Sequence, residues 1–134
     1  YVVDATGDFV YENERLLLTS VAMSTDNVVA GVRALGGLPI AAHVDRPSFS
    51  LLANLGFVPE GLDLAGLEIS RRQTVEGFRA AYPQLACWPL IGSSDAHQLS
   101  NFAVRTRARI ATRTIRELEL ALQGEQGRRL WLKD

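Results

Sequence analysis

The stretch "PLIGSSDAH", residues 89 to 97, ends an apolar run in two serines and then sets Asp95 and His97 two positions apart. In extended backbone, side chains two apart share a face. A carboxylate and an imidazole on one face are a natural ligand set for divalent zinc, manganese or iron. The only other histidine of the chain has a parallel setting, since "LPIAAHVDRP", residues 38 to 47, carries His43 after a short apolar run. Each motif alone has a plainer explanation. A histidine at a strand end is more often hydrogen-bonded to a loop, and Ser93, Ser94 and Asp95 are all residue types that cap a helical turn. The joint occurrence of both histidines and one acid at the ends of apolar runs makes His43, Asp95 and His97 the candidate metal ligands.

Other side chains stand where they could support such a centre. Glu68, in "LEIS", follows apolar residues, and a buried glutamate is costly unless it is paired or hydrogen-bonded. It is a ligand, an acceptor behind the ligands, or the ion-pair partner of Arg71 or Arg72; the supporting role is preferred. Arg46, three residues after His43, carries a guanidinium that could clamp a phosphate with two parallel hydrogen bonds, and Arg71 is a second candidate for that contact. A surface salt bridge is the commoner fate of an arginine. Cys87 lies at the start of an apolar strand, at the wrong end for chemistry, and reads as a packed core residue. The basic stretch "RTRARIATR" has no interleaved aromatics, so it reads as the solvated face of an edge strand rather than a nucleic-acid track.

The elements that must position these residues follow from punctuation and periodicity. "YVVDATGDFVY" reads as a β-hairpin around small turn-forming residues. "STDNVVAGVRALGG" has a capping start, apolar positions at helical spacing and a glycine stop. "LPIAAHV" is a short buried strand, and Pro47 opens a helix in "PSFSLLANLG" that Gly56 closes. "LDLAGLEIS" is a second buried strand, followed by an amphipathic "RRQTVEGFRAAYP". "WPLIGSS" is a third strand, "VRTRARIA" a fourth, "TIRELELALQG" a helix, and "RRLWL" a last strand. Strands alternating with helices across short loops predict an α/β fold with a mostly parallel sheet, open or curved into a barrel. His43, Glu68, Asp95 and His97 then fall at or near the carboxyl ends of strands, where such folds place their sites.

The bulk composition narrows the function classes. At 134 residues and 47% apolar composition, the chain suits one domain with a real core. Fourteen basic against fifteen acidic residues leave a formal charge of -1, so no global field draws in nucleic acid or an anionic membrane. One cysteine cannot form an internal disulfide, and no apolar run is long enough to span a bilayer. A cytoplasmic protein without a membrane partner is expected. The chain opens at Tyr1 within what already reads as a strand, and the expectation is that part of the domain lies upstream. Strand edges and apolar surface left uncovered by such a truncation predict either a self-associated oligomer or a compact rearranged sheet.

Taken in order and spacing, "LGGLPIAAHVDRP", "LEIS" and "LIGSSDAH" resemble the later motifs of the PHP domain, the polymerase and histidinol phosphatase family. The resemblance is closest to the C-terminal part of small stand-alone bacterial PHP proteins and runs from the "VVDATGDFVY" ribbon to "ALQGEQGRR". It implies the C-terminal portion of a distorted barrel of seven βα units, with up to three divalent metal ions (manganese, iron or zinc) at the carboxyl ends of the strands. It also implies hydrolysis of a phosphorylated small molecule or nucleotide by metal-activated water in the intact protein. His43 matches a ligand histidine of the family and Asp95 and His97 its final Asp-x-His pair, while Glu68 matches an acidic position. Two departures stand out. "VDRP" replaces the proline that often follows the first of these histidines. The family's opening His-x-His, its next histidine and its mid-domain glutamate and histidine have no counterpart in this chain. This chain alone is therefore expected to be inactive, and the alternative is a catalytically silent fragment acting as a structural or partner-binding module.

Overall fold

Ser24 starts the first helix as its sequence predicts. In the computed structural model, which describes residues 1–15 and 20–133, its side chain accepts a hydrogen bond from the Asn27 amide at 3.3 Å. Helix α1 spans Thr25–Ala34, and the chain leaves it through Gly36 at φ +74°, a conformation that costs a residue without Cβ little. Before α1 lies the expected hairpin, β1 (Val2–Val3) antiparallel to β2 (Phe9–Tyr11). Asp4 organises its turn, its Oδ1 accepting from the backbone N–H groups of Thr6 and Asp8.

After α1 the chain enters a three-stranded parallel sheet. β3 (Ile40–Ala41) pairs with β4 (Gly66–Ile69), and β4 pairs with β5 (Leu90–Gly92). The order β3-β4-β5 places consecutive strands side by side, as crossovers through helices on the sheet require. Those crossovers are α2 (Leu51–Leu55) and α3 (Val75–Ala81). Leu67 and Ile69, both fully buried, alternate with Glu68 along β4 and build the core with Val44, Phe78, Leu85 and Leu90. Gly66 allows the close approach behind them, for a Cβ there would stand 2.9 Å from the Pro89 carbonyl oxygen and 3.3 Å from Leu122 Cδ2.

Three expectations are corrected. Pro47 does not open the second helix; Ser50, only 3% exposed, caps it. The Ser50 hydroxyl accepts from the Ala53 N–H at 3.0 Å and donates to the Arg46 carbonyl at 2.7 Å, two bonds that a proline side chain cannot supply. The fourth strand does not extend the parallel sheet. β6 (Thr106–Arg109) pairs antiparallel with β7 (Arg129–Leu132) in a sheet of its own, and the Thr106 hydroxyl, donating to the Gly92 carbonyl at 2.6 Å, ties its start to β5. Cys87 is exposed, because Leu85 and Leu90 on either side take the buried positions.

The architecture is thus mixed α/β, with one small parallel sheet and two antiparallel ribbons; the described residues close no barrel. No described strand pairs with the outer edge of β3, and Tyr1, Phe9, Leu35, Phe49, Leu99 and Phe102 stand exposed. No helix among the described residues is long and apolar enough to cross a membrane.

Helix α4 (Ile115–Gln123) is held by ion pairs as well as by its apolar face. Arg33 of α1 reaches Glu119 at 2.7 Å and Asp63 at 3.1 Å, and Arg128 donates to both oxygens of Glu117 at 3.0 Å. The hydrogen bond from Arg33 holds the Glu119 carboxyl below the ordinary glutamate value of 4.5, and that from Arg128, reinforced by the Ala111 N–H, does the same for Glu117. A depressed folded-state pKa adds stability above the unfolded value, which is lost as pH falls through the folded value. The urea midpoint is therefore expected to drop as pH falls below the ordinary glutamate range, and Glu119→Gln to flatten that acid limb. An acid limb equally steep in the variant would rule out this source.

Candidate functional site

The parallel register determines what meets at the carboxyl ends of the strands. Ala41 lies opposite Leu67, and Glu68 and Ile69 lie opposite Ile91 and Gly92, so the turns leaving β3, β4 and β5 emerge at the same edge of the sheet, that of β3 two residues earlier. They enclose a cleft of about 490 Å³. Its walls are His43, Asp45, Arg46, Pro47 and Ser48 after β3, Glu68 and residues 70–73 at and after β4, and Ser93, Asp95, His97 and Asn101 after β5. All six residues singled out from the sequence, His43, Arg46, Glu68, Arg71, Asp95 and His97, line this one space.

Glu68 is the link between the strands. Because Leu67 and Ile69 face the core, its carboxylate faces the other way. Its Oε2 accepts the His43 backbone N–H at 3.1 Å, and its Oε1 accepts the Ser93 hydroxyl. The Val44 N–H donates to the Glu68 carbonyl at 2.8 Å, so β4 grips the preceding turn by backbone and side chain together. Glu68 is thus directed to the backbone of the His43 turn rather than to the imidazole.

Both turns carry backbone strain at the chemically interesting residue. His43 has φ +30° and Asp95 φ +48°, left-handed conformations that cost a residue with a side chain roughly 1 to 3 kcal/mol and tend to occur at functional positions. The left-handed turn also explains why β3 ends at Ala41 instead of running through Val44.

Asp95 Oδ2 lies 2.7 Å from Arg46 Nη1, and Asp95 Oδ1 lies 3.5 Å from His97 Nε2. The His97 side chain is 82% exposed. His43 Nδ1 is buried without a hydrogen-bond partner among the described residues. Arg71 and Arg72 are exposed at the rim, and neither forms an ion pair among the described residues.

Sequence reasoning passed over Asp45 and saw Ser93 only as a cap. Asp45 accepts the Ser70 N–H at 2.6 Å and the Ser70 hydroxyl at 2.5 Å, which clamps the turn after β4 to the turn after β3. Its place two residues beyond His43 was the available signal. With it, three carboxylates (Asp45, Glu68, Asp95) and three guanidinium groups (Arg46, Arg71, Arg72) line the cleft, a balance suited to a ligand that brings both a cation and an anion.

The donor chemistry of two imidazoles and three carboxylates suits a divalent cation. The arrangement does not fit a closed metal centre: among the described residues no three of His, Cys, Asp or Glu stand close enough together to hold one, and Asp95 is engaged by Arg46. Comparison with family models, with curated protein sequences and with solved structures returned no match at the significance applied to each.

Proposed function

We propose that the cleft is part of the site of a metal-dependent phosphoesterase of the PHP type. The chain would carry the later ligand motifs, His43, Asp95 and His97, and further donors in the intact protein would complete the set. The observation that carries this reading is the meeting of both histidines of the chain with Asp95 and Glu68 at the carboxyl ends of three adjacent parallel strands, the face where βα folds perform chemistry. On this reading the small parallel sheet belongs to the distorted barrel of the family. Arg46, Arg71 and Arg72 offer the guanidinium groups that would orient a phosphorylated small molecule or nucleotide. Glu68 and Asp45 hold the turns that present them. The protein would act in the cytoplasm, and copies could associate through the open edge of β3 and the exposed apolar residues.

A second reading, a catalytically silent module that supports or binds a partner, is favoured by one observation: Asp95 already has Arg46 as its counter-charge. Elemental analysis and release of inorganic phosphate from a phosphate monoester separate the two, applied to this chain and to a version extended upstream. The phosphoesterase reading expects bound metal and phosphate release in the extended protein, both lost in Asp95→Ala and His97→Ala variants. A metal-free, inactive extended protein would leave only the silent module.

A further inference from the structure

One face of the β6–β7 ribbon carries three guanidinium groups and an indole. The antiparallel register sets Arg107 opposite Trp131 and Arg109 opposite Arg129, and residues directly opposite share a face. All four are exposed. The other face is spent on the fold: the Thr106 hydroxyl donates to the Gly92 carbonyl, and Leu132 lies so near Gly92 that a Cβ there would stand 3.0 Å from its Cδ2. The aromatic side chain that "RTRARIATR" lacks is thus supplied from across the ribbon. Arg129 stands over Trp131 with its Cζ 5.1 Å from the ring centroid, a cation–π contact that holds the indole in place, and Trp131 remains 40% exposed.

None of these three arginines forms an ion pair among the described residues. The glutamates of α4, which packs against β7, are engaged elsewhere, Glu117 by Arg128 and Glu119 by Arg33 and Arg116. Like charges directly opposite cost stability, so Arg109 facing Arg129 gives the fold nothing, and a polyanion that neutralises both removes the cost. We propose that this face binds single-stranded nucleic acid, with phosphates on Arg107, Arg109 and Arg129 and a base stacked on Trp131. Guanidinium groups suit phosphates, and an indole suits the flat face of any base. A base reaches that indole only when it is free of a duplex, which selects single strands. An anionic membrane fits less well, because Trp131 is the one large apolar side chain on the face and little would insert. With a formal charge of -1 on the whole chain, the attraction is confined to this ribbon. None of the four residues lines the cleft, so the inference goes beyond the phosphoesterase reading and stands without it.

The test is fluorescence anisotropy of a labelled single-stranded oligothymidylate titrated with the 134-residue chain over a series of NaCl concentrations. Wild type is expected to bind with a Kd on the order of 10⁻⁴ M at physiological salt and more tightly at low salt, log Kd rising with log salt at a slope of about 2 for three phosphates. Arg107→Ala, Arg109→Ala and Arg129→Ala should each lower that slope by about 0.7. At low salt Trp131→Leu should weaken binding about fivefold or more, while Trp131→Phe retains most of it. Trp88 and Trp131 are the two tryptophans of the chain, so in a Trp88→Phe background, with the ribbon untouched, the oligonucleotide should quench the remaining indole. Absence of binding at low salt overturns the proposal. So does binding that leaves Trp131 fluorescence unchanged and survives the ribbon variants but falls in Arg71→Ala, which would put the oligonucleotide in the cleft. Binding to phosphatidylserine vesicles without binding to the oligonucleotide overturns it in favour of a lipid surface.

Discussion

Phe78→Ala is expected to destabilise the fold by about 3–5 kcal/mol, the cost of removing a buried phenyl ring together with the cavity it leaves. Phe78 is fully buried and sits in the cluster with Val44, Leu67, Ile69, Leu85 and Leu90, while its ring packs at 5.0 Å against Tyr82. Helix α3 has only seven residues, too few to be stable by itself in water, so its attachment to the sheet depends on this side chain. With total stabilities of domains near 5–15 kcal/mol, a loss of that size removes much of the margin. Urea denaturation of wild type and variant measures it directly. A shift below about 1 kcal/mol would mean that α3 is held by something other than its apolar face, such as the Thr74 cap, which alone is worth about that much.

Helix ends were the most legible part of the fold, because their signals are local. Ser24 caps the helix that its capping-type start announces, and Gly56 and Gly124 each end one in a left-handed conformation; the Thr74 and Thr114 caps came to light only with the structure. Where two capping signals compete, locality fails. Pro47 and Ser50 both suit a helix start, and the choice fell to Ser50 through a hydrogen bond to the Arg46 carbonyl, a contact that exists only once the turn has formed. The partner of β6 was equally hidden. Alternating arginines announce a strand, but only the chain reversal through α4 decides that it pairs with β7 and not with β5.

The site divides in the same way. His43, Glu68, Asp95 and His97 could be picked out because each follows or interrupts an apolar run, and parallel pairing necessarily brings such run ends together. The bonds that arrange them join residues far apart in sequence: 25 residues for Asp45 with Ser70, 25 for Glu68 with Ser93, and 49 for Arg46 with Asp95. No periodicity or propensity encodes a pairing across such distances. Asp45 was overlooked for that reason, and of the two fates open to Arg46, a phosphate contact or a salt bridge, the sequence could not name the carboxylate that engages it, Asp95.

Glu68→Ala is expected to disorder the cleft more than any other single change in its walls. The substitution leaves the part-buried His43 N–H without its acceptor and frees the Ser93 hydroxyl, and an unpaired donor of this kind costs about 1–3 kcal/mol. The functional consequence exceeds the stability cost, because His43 at φ +30° and Asp95 at φ +48° are held in strained turns that need these restraints to persist. Glu68→Gln separates geometry from charge. Its amide oxygen can still accept one of the two donors, and its NH₂ can donate to Ser93 Oγ, so the turns should stay near their places while the negative charge is lost. Backbone amide chemical shifts of His43, Ser93 and Asp95 are the readout. The expected pattern is large shift changes in Glu68→Ala against small ones in Glu68→Gln. Unaltered shifts at all three amides in Glu68→Ala would show that the turns hold themselves, and Glu68 would then be one carboxylate among three rather than the residue that positions the site.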